Sequence, residues 1–270
     1  MKSFLLIGLL SIGPISQGQS VKTLMGARAA GMGYASVVLS DESSLFNNVG
    51  AIAEVQRPAT LFLYEARPSL PGAQSVAAGI VAPLKFGVLG AGVFRFGDDL
   101  YSEQVLSAAF GNKFGNTSLG MSLNYVQYRA ENFGTKGALY INFGGRAQIT
   151  PQISVGAYIV NLTQANVAPD ELLPVKFVAG LGFKPDAHFL IVTEVEKDIS
   201  YQATWKLGAE YAIYKKIFIR TGFNLNPHAA YFGLGAQVKH LKMDYAISLS
   251  TVLGAIHCAS ATYMLESKKK

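Results

Sequence analysis

The chain has 270 residues, half of them hydrophobic and only 15% charged, with one cysteine and a formal net charge of +6. No stretch supplies the ~20 uninterrupted apolar residues of a membrane helix, and a single Cys258 excludes an internal disulfide. High apolarity without a helical span, together with 28 glycines and 13 tyrosines, fits a sheet closed on itself in a membrane better than a helical bundle.

Taken in order, residues 1–18 read as an export signal. Lys2 gives a positive start, Phe4 to Ile15 an apolar region, and Ser16-Gln17-Gly18 a small-x-small cleavage site with Gln19 as the new terminus. No cysteine lies near that site, so no lipoprotein anchor is expected.

Residues 19–56 do not alternate. They hold a small-residue run from Gly26 to Gly33, then Ser40-Asp41-Glu42 ahead of Ser43 to Phe46. Ser40 is expected to cap a short helix whose first turn carries two acids against the positive end of its dipole. Asn47-Asn48-Val49-Gly50 is expected to end it, since Asn and Gly tolerate left-handed backbone. A solvated linker would be more polar, so this segment is predicted to plug the lumen of the barrel that follows.

From Arg57 onward dry and wet side chains take turns, the mark of strands with two unlike faces. In residues 201–213, Tyr201, Ala203, Trp205, Leu207, Ala209, Tyr211 and Ile213 stand against Gln202, Thr204, Lys206, Gly208 and Glu210. That length matches the ~9–11 residues a tilted strand needs to cross a bilayer. The same pattern returns at 118–125, 138–147, 231–239 and 241–250.

Counting blocks between turn signals predicts strands near 58–66, 73–82, 86–96, 102–112, 117–129, 137–148, 153–162, 174–184, 187–197, 201–213, 216–224, 229–239, 241–251 and 255–265. The expected fold is all-β: a transmembrane antiparallel β-barrel of about 14 strands over residues 57–265, with apolar side chains toward lipid and polar ones inward. Tyr201, Trp205, Tyr211, Tyr245 and Tyr263 are expected as interfacial aromatics. The outer connections read as short, with only 162–173 longer than a tight loop, so they offer little material for a lid. Residues 266–270 form a basic tail ending in Lys268-Lys269-Lys270, read as solvated or lying against anionic lipid and not as a nucleic-acid site.

The stretch GARAAGMGYASVVLSDESSLFNNVGAIA, residues 26–53, resembles the N-terminal signature of the PorV/PorQ family, within the wider FadL-like outer-membrane barrels. The likeness rests on Ala27-Arg28-Ala29-Ala30-Gly31-Met32-Gly33 and Ala35, on Asp41 with Leu45-Phe46, and on Asn48. Val49-Gly50-Ala51 stands where that family carries Pro-Ala-Gly. The resemblance implies a bacterial outer-membrane barrel of fourteen strands with its N-terminus folded into the lumen. It names Arg28, Gly31, Gly33, Asp41, Phe46 and Asn48 as plug residues. It also implies Bacteroidota and a place beside the type IX secretion machinery.

The inward half of the later strands holds Glu194, Glu196, Lys206, Glu210, Arg220, Lys242 and Asp244, with Arg146 earlier. Neighbouring strands lie about 4.7–4.9 Å apart, so Glu194 and Glu196 are expected to face Lys206, and Glu210 to face Arg220. The bland reading is a salt-bridged polar filling; the functional one is a selectivity lining or proton path. Ala77, Gly79, Gly90 and Gly92 offer a candidate small-residue strip on which another barrel would pack, or else their glycines face a crowded lumen.

No catalytic or metal site is expected. His188, His228 and His240 fall at strand ends or loops and His257 begins the last strand, none beside a serine elbow or at metal-ligand spacing. No cofactor is expected. The short loops and a lumen read as polar favour a non-enzymatic accessory or scaffold subunit of a secretion or outer-membrane assembly complex. Its expected partners are outer-membrane lipid and other outer-membrane proteins or secreted cargo. The alternative is a FadL-like channel for small hydrophobic molecules.

Overall fold

The computed structural model describes residues 23–168, 171–214, 216–251 and 254–266. The predicted export signal and the lysines of the basic tail lie outside them. Among the described residues no helix is long and apolar enough to cross a membrane.

The strands are β1 (Ala59–Ala66), β2 (Ser75–Leu84), β3 (Gly87–Gly97), β4 (Tyr101–Phe114), β5 (Thr117–Ala130), β6 (Gly134–Gln148), β7 (Ile153–Val160), β8 (Asn166–Ala168), β9 (Glu171–Leu172), β10 (Lys176–Phe183), β11 (Phe189–Asp198), β12 (Thr204–Tyr214), β13 (Ile217–Asn224), β14 (Ala229–Val238), β15 (Leu241–Ser250) and β16 (Gly254–Met264). All but β8 and β9 form one closed antiparallel barrel of fourteen strands in sequence order. Closure comes from β1 pairing with β16, from Ala59 opposite Met264 to Ala66 opposite His257. Closure leaves no edge strand, although residues 134–142 of β6 extend beyond its pairing with β7.

Burial alternates along the strands. In β12 Lys206, Gly208, Glu210 and Ala212 point inward, while Trp205, Leu207, Tyr211 and Ile213 are exposed outward. The outward face is an apolar band in which Phe62, Leu106, Met121, Leu139 and Leu234 stand uncovered. An apolar band of this kind is what a membrane barrel turns toward lipid.

Connections differ between the two ends. At one end the strands join through tight turns such as 85–86, 115–116 and 239–240. At the other lie 67–74 and 161–175, the latter carrying the β8–β9 hairpin. That long connection, expected as an open outer loop, folds back over the barrel mouth. Leu173 is buried in the interior cluster with Val167 and Ala165 against it, and the Asn161 amide donates to the Leu173 carbonyl at 3.1 Å.

Residues 23–56 lie against the inward faces of strands all around the barrel. They contain one short helix, α1 (Ala27–Gly31), and two 3-10 helices, Glu42–Leu45 and Val49–Glu54. Two local expectations are corrected. The cap of the first 3-10 helix is Asp41, not Ser40: its carboxylate accepts from the Ser43 N–H, while Ser44 Oγ accepts from the Asp41 N–H. Asn48 is not a left-handed terminator. It starts the second 3-10 helix in extended backbone, its side chain accepting from the Gly50 N–H at 3.1 Å.

Inward glycines let this backbone approach the wall. A Cβ on Gly50 would fall 2.3 Å from the Gly144 carbonyl oxygen, and one on Gly222 would fall 2.3 Å from the Met32 carbonyl carbon. The proposed outward small-residue strip is corrected on the same ground. Gly79, Gly90 and Gly92 face Leu45, Ile52 and Phe46 of the inner segment, and Ala77 is buried with them.

Candidate functional site: a two-sided lumen

The interior is unlike on its two sides. Strands β10–β15 present charges, and most of them are matched, Asp198 taking only the Ser200 N–H. Lys206 Nζ lies 2.9 Å from Glu194 Oε1 and 2.6 Å from Glu196 Oε2, with Lys176 Nζ 3.6 Å from Glu196. Arg220 bonds Glu210 at 2.6 Å and Asp244 at 2.8 Å. The inner segment closes this set into a ring. Arg28 grips Glu210 with two bonds of 2.8 and 2.5 Å and Asp41 with one of 3.0 Å, while Lys242 lies 4.0 Å from Asp41 and 3.9 Å from Asp244. Three cations and three anions thus alternate around a closed circuit that ties residues 23–56 to β12, β13 and β15.

Further ties reach other strands. Glu194 Oε2 accepts the N–H groups of Ser36 and Val37, both at 2.8 Å. Glu54 pairs with Arg146 on β6 at 2.6 Å, and the Asn48 amide donates to the Gly145 carbonyl at 2.9 Å. Tyr34 donates to Glu65 on β1, which also holds Arg67.

The local fields follow. Burial alone would lower the Arg28 guanidinium, but the adjacent Glu210 and Asp41 charges outweigh it and raise it. Burial would push the Asp41 carboxyl up; Lys242 and Arg28, with hydrogen bonds from Ser43 and Arg28, hold it below its ordinary value. Burial, then Cys258 and Glu65, raise the Tyr34 phenol.

Of the candidate inner residues, Arg28 and Asp41 sit in the ring, Gly31 lies against β13 and β14, Gly33 against β12 and β13, Phe46 stands over Gly92, and Asn48 bridges to β6. Arg146 belongs to the separate Glu54 pair, away from the ring. Among the outward aromatics, Trp205 and Tyr263 stand near strand ends and Tyr201 in the turn before β12. Tyr245 departs from the interfacial expectation: it sits mid-strand, its hydroxyl 2.6 Å from His257 Nδ1 on β16. His257 is accordingly an outward neighbour of Tyr245 inside β16.

The other side of the lumen is mostly apolar, with Glu65, Glu103, Ser118, Ser122 and Asn124 buried among its hydrophobic side chains. Leu61 and Leu63 of β1, Val81 of β2, Val88 and Phe94 of β3, Val105 of β4 and Val126 of β5 form one buried cluster with Leu45, Phe46 and Ile52. The uniformly polar interior expected from sequence is therefore corrected to half of the wall. Sequence reasoning also missed Glu54, Glu65 and Glu103. Glu103 was legible, because it falls on the same face as Val105 and Ala109 two and six residues on. Among the described residues no cluster of His, Cys, Asp and Glu is arranged to hold a metal.

No protein-family model and no curated protein match the sequence. Solved structures do match in shape. The CymD monoaromatic hydrocarbon channel superposes with a TM-score of 0.72 at 14% identity, covering 92% of this chain and all of that one. The Ralstonia pickettii toluene transporter TbuX gives 0.73 at 11%, covering 91% and 100%. A Pseudomonas aeruginosa FadL homologue gives 0.64 at 13%, covering 89% and 98%. The chain therefore has the FadL-like fold, that of outer-membrane transport barrels.

Proposed function

We propose that this is an outer-membrane barrel that admits small apolar molecules, with residues 23–56 as the stopper of its lumen. One observation carries the reading: the dry side of the interior runs without a break from Leu173 under the long connection, through Phe94, Val105 and Val126, to Ile52 and Val88 near the short-turn end. Burial along such a lining favours an apolar solute by roughly 25 cal/mol per Å². The charged side offers it nothing. The seam is packed shut, so entry requires the connection after β7 or the side chains of Leu45, Phe46 and Ile52 to move aside while the ion pairs hold. The shape shared with barrels described as hydrocarbon and toluene transporters supports the same reading.

The test is initial uptake of radiolabelled toluene by cells making the barrel, against cells making an unrelated barrel at equal surface level. Faster uptake is expected; equal rates sink the reading.

A second reading keeps the PorV/PorQ likeness of residues 26–53, with the barrel as an accessory or scaffold subunit of a type IX-like secretion or assembly complex. It is favoured by a distinct observation. Leu70, Leu100, Phe133, Leu172 and Ile199, all on connections at the long-loop end, are exposed there as a partner surface would require. Gentle detergent extraction separates the two: a stoichiometric co-purifying outer-membrane protein supports the subunit, a lone barrel the channel.

A further inference from the structure

Glu103 is a carboxylate of this interior that holds no cation. It is 5% exposed, on the dry side, and its one hydrogen bond comes from the Tyr101 hydroxyl at 2.9 Å. No Lys, Arg or His among the described residues lies within ion-pair distance of it, whereas Glu194, Glu210 and Asp244 each hold a base. A buried carboxylate without a cation is costly to keep.

Its surroundings are aromatic. Phe96 on β3 and Tyr128 on β5 stand directly opposite it across the sheet, and Tyr101 is two residues away on β4. The Tyr140 hydroxyl, on a side chain of β6 that is 1% exposed, has no hydrogen-bond partner. One ring of the group already takes a cation, for the Arg67 guanidinium sits 5.6 Å from the Phe96 centroid, held there by Glu65 and the Ala73 carbonyl.

A carboxylate among aromatic faces, with an unused hydroxyl beside it, is the chemistry that receives an organic ammonium. We propose that this end of the lumen binds a small organic cation carried on an apolar body. Glu103 is its counter-ion, Tyr101 and Tyr128 its aromatic contacts, and Tyr140 the hydroxyl that faces the polar head. Tyr101, 38% exposed at the start of β4, is the side of the site open to the long-loop end, and the ammonium takes the place of its hydroxyl on Glu103. This site goes beyond the transport of neutral apolar molecules, and binding here does not require flux.

The test uses purified full-length barrel in detergent and equilibrium dialysis with phenyltrimethylammonium, set against the neutral isostere tert-butylbenzene. The cation is expected to bind at least tenfold more tightly. Glu103→Gln should abolish that preference, and Tyr140→Phe should weaken the cation severalfold. Heat-shifted gel mobility confirms that each variant is folded. Equal binding of the two probes, or an unchanged preference in folded Glu103→Gln, overturns the proposal. Cation binding to a barrel that fails to speed toluene uptake supports this site and removes the transport reading.

Discussion

At the scale of single residues, the ionic ring decides what can be changed. Arg220 and Glu210 are withdrawn from solvent, so removing one partner leaves charge uncompensated where water cannot screen it. Glu210→Gln should therefore lower the stability of the folded barrel by about 3–5 kcal/mol, the range for broken buried pairs, in urea unfolding from detergent. Asp99→Ala breaks only the solvent-exposed contact with Arg95 at 4.0 Å and should change stability by less than about 1 kcal/mol. Equal effects of the two would show that the ring is not buried as described.

Asp41 gives the ring a pH dependence. Because its folded carboxyl is held below the ordinary value by Lys242 and Arg28, its contribution is complete above the unfolded carboxylate pKa of about 3.9. It is lost only as pH falls through the lower, folded value. The urea needed to unfold the barrel in detergent should accordingly stay flat from neutral pH to about 4 and fall below it. Asp41→Asn should unfold at lower urea already at neutral pH and should lose the Asp41-dependent part of that fall.

At the scale of elements, the strands were legible because hydrocarbon outside and protein polar groups inside impose opposite demands on alternate residues. β12, with Lys206 and Glu210 inward and Trp205 and Tyr211 outward, is the clear case. Alternation is faint in β2 and β3, where Val81, Val88 and Phe94 point inward but meet Leu45, Phe46 and Ile52 instead of water. Both faces of those strands are then apolar, so the small residues between them were read on the wrong side. The inner segment was legible in place but not in form, since 3-10 helices of four and six residues are too short to show a period. Its fit is set by backbone approach. Gly50→Ala puts a methyl against the Gly144 carbonyl and should cost about 1–3 kcal/mol as overpacking, read as faster proteolysis of residues 23–56 with the barrel itself intact.

At the scale of the whole molecule, the two sides of the lumen divide the work. The ionic side anchors the inner segment to β6, β11, β12 and β15, so moving the whole segment would break several buried attachments together. The apolar side is held chiefly by the packing of Leu45, Phe46 and Ile52, with Glu54 on Arg146 and Ser118 and Tyr34 on Glu65 as its polar ties. A solute path on that side is thus compatible with a fixed stopper.

The most direct measurement is a crystal structure of the full chain grown with bromobenzene, in which the bromine is located by its anomalous signal. The account predicts bromine inside the barrel, between residues 42–54 and the inward faces of β1–β5. Bromine confined to the outward apolar band, or found among the charges of β11–β15, would contradict it.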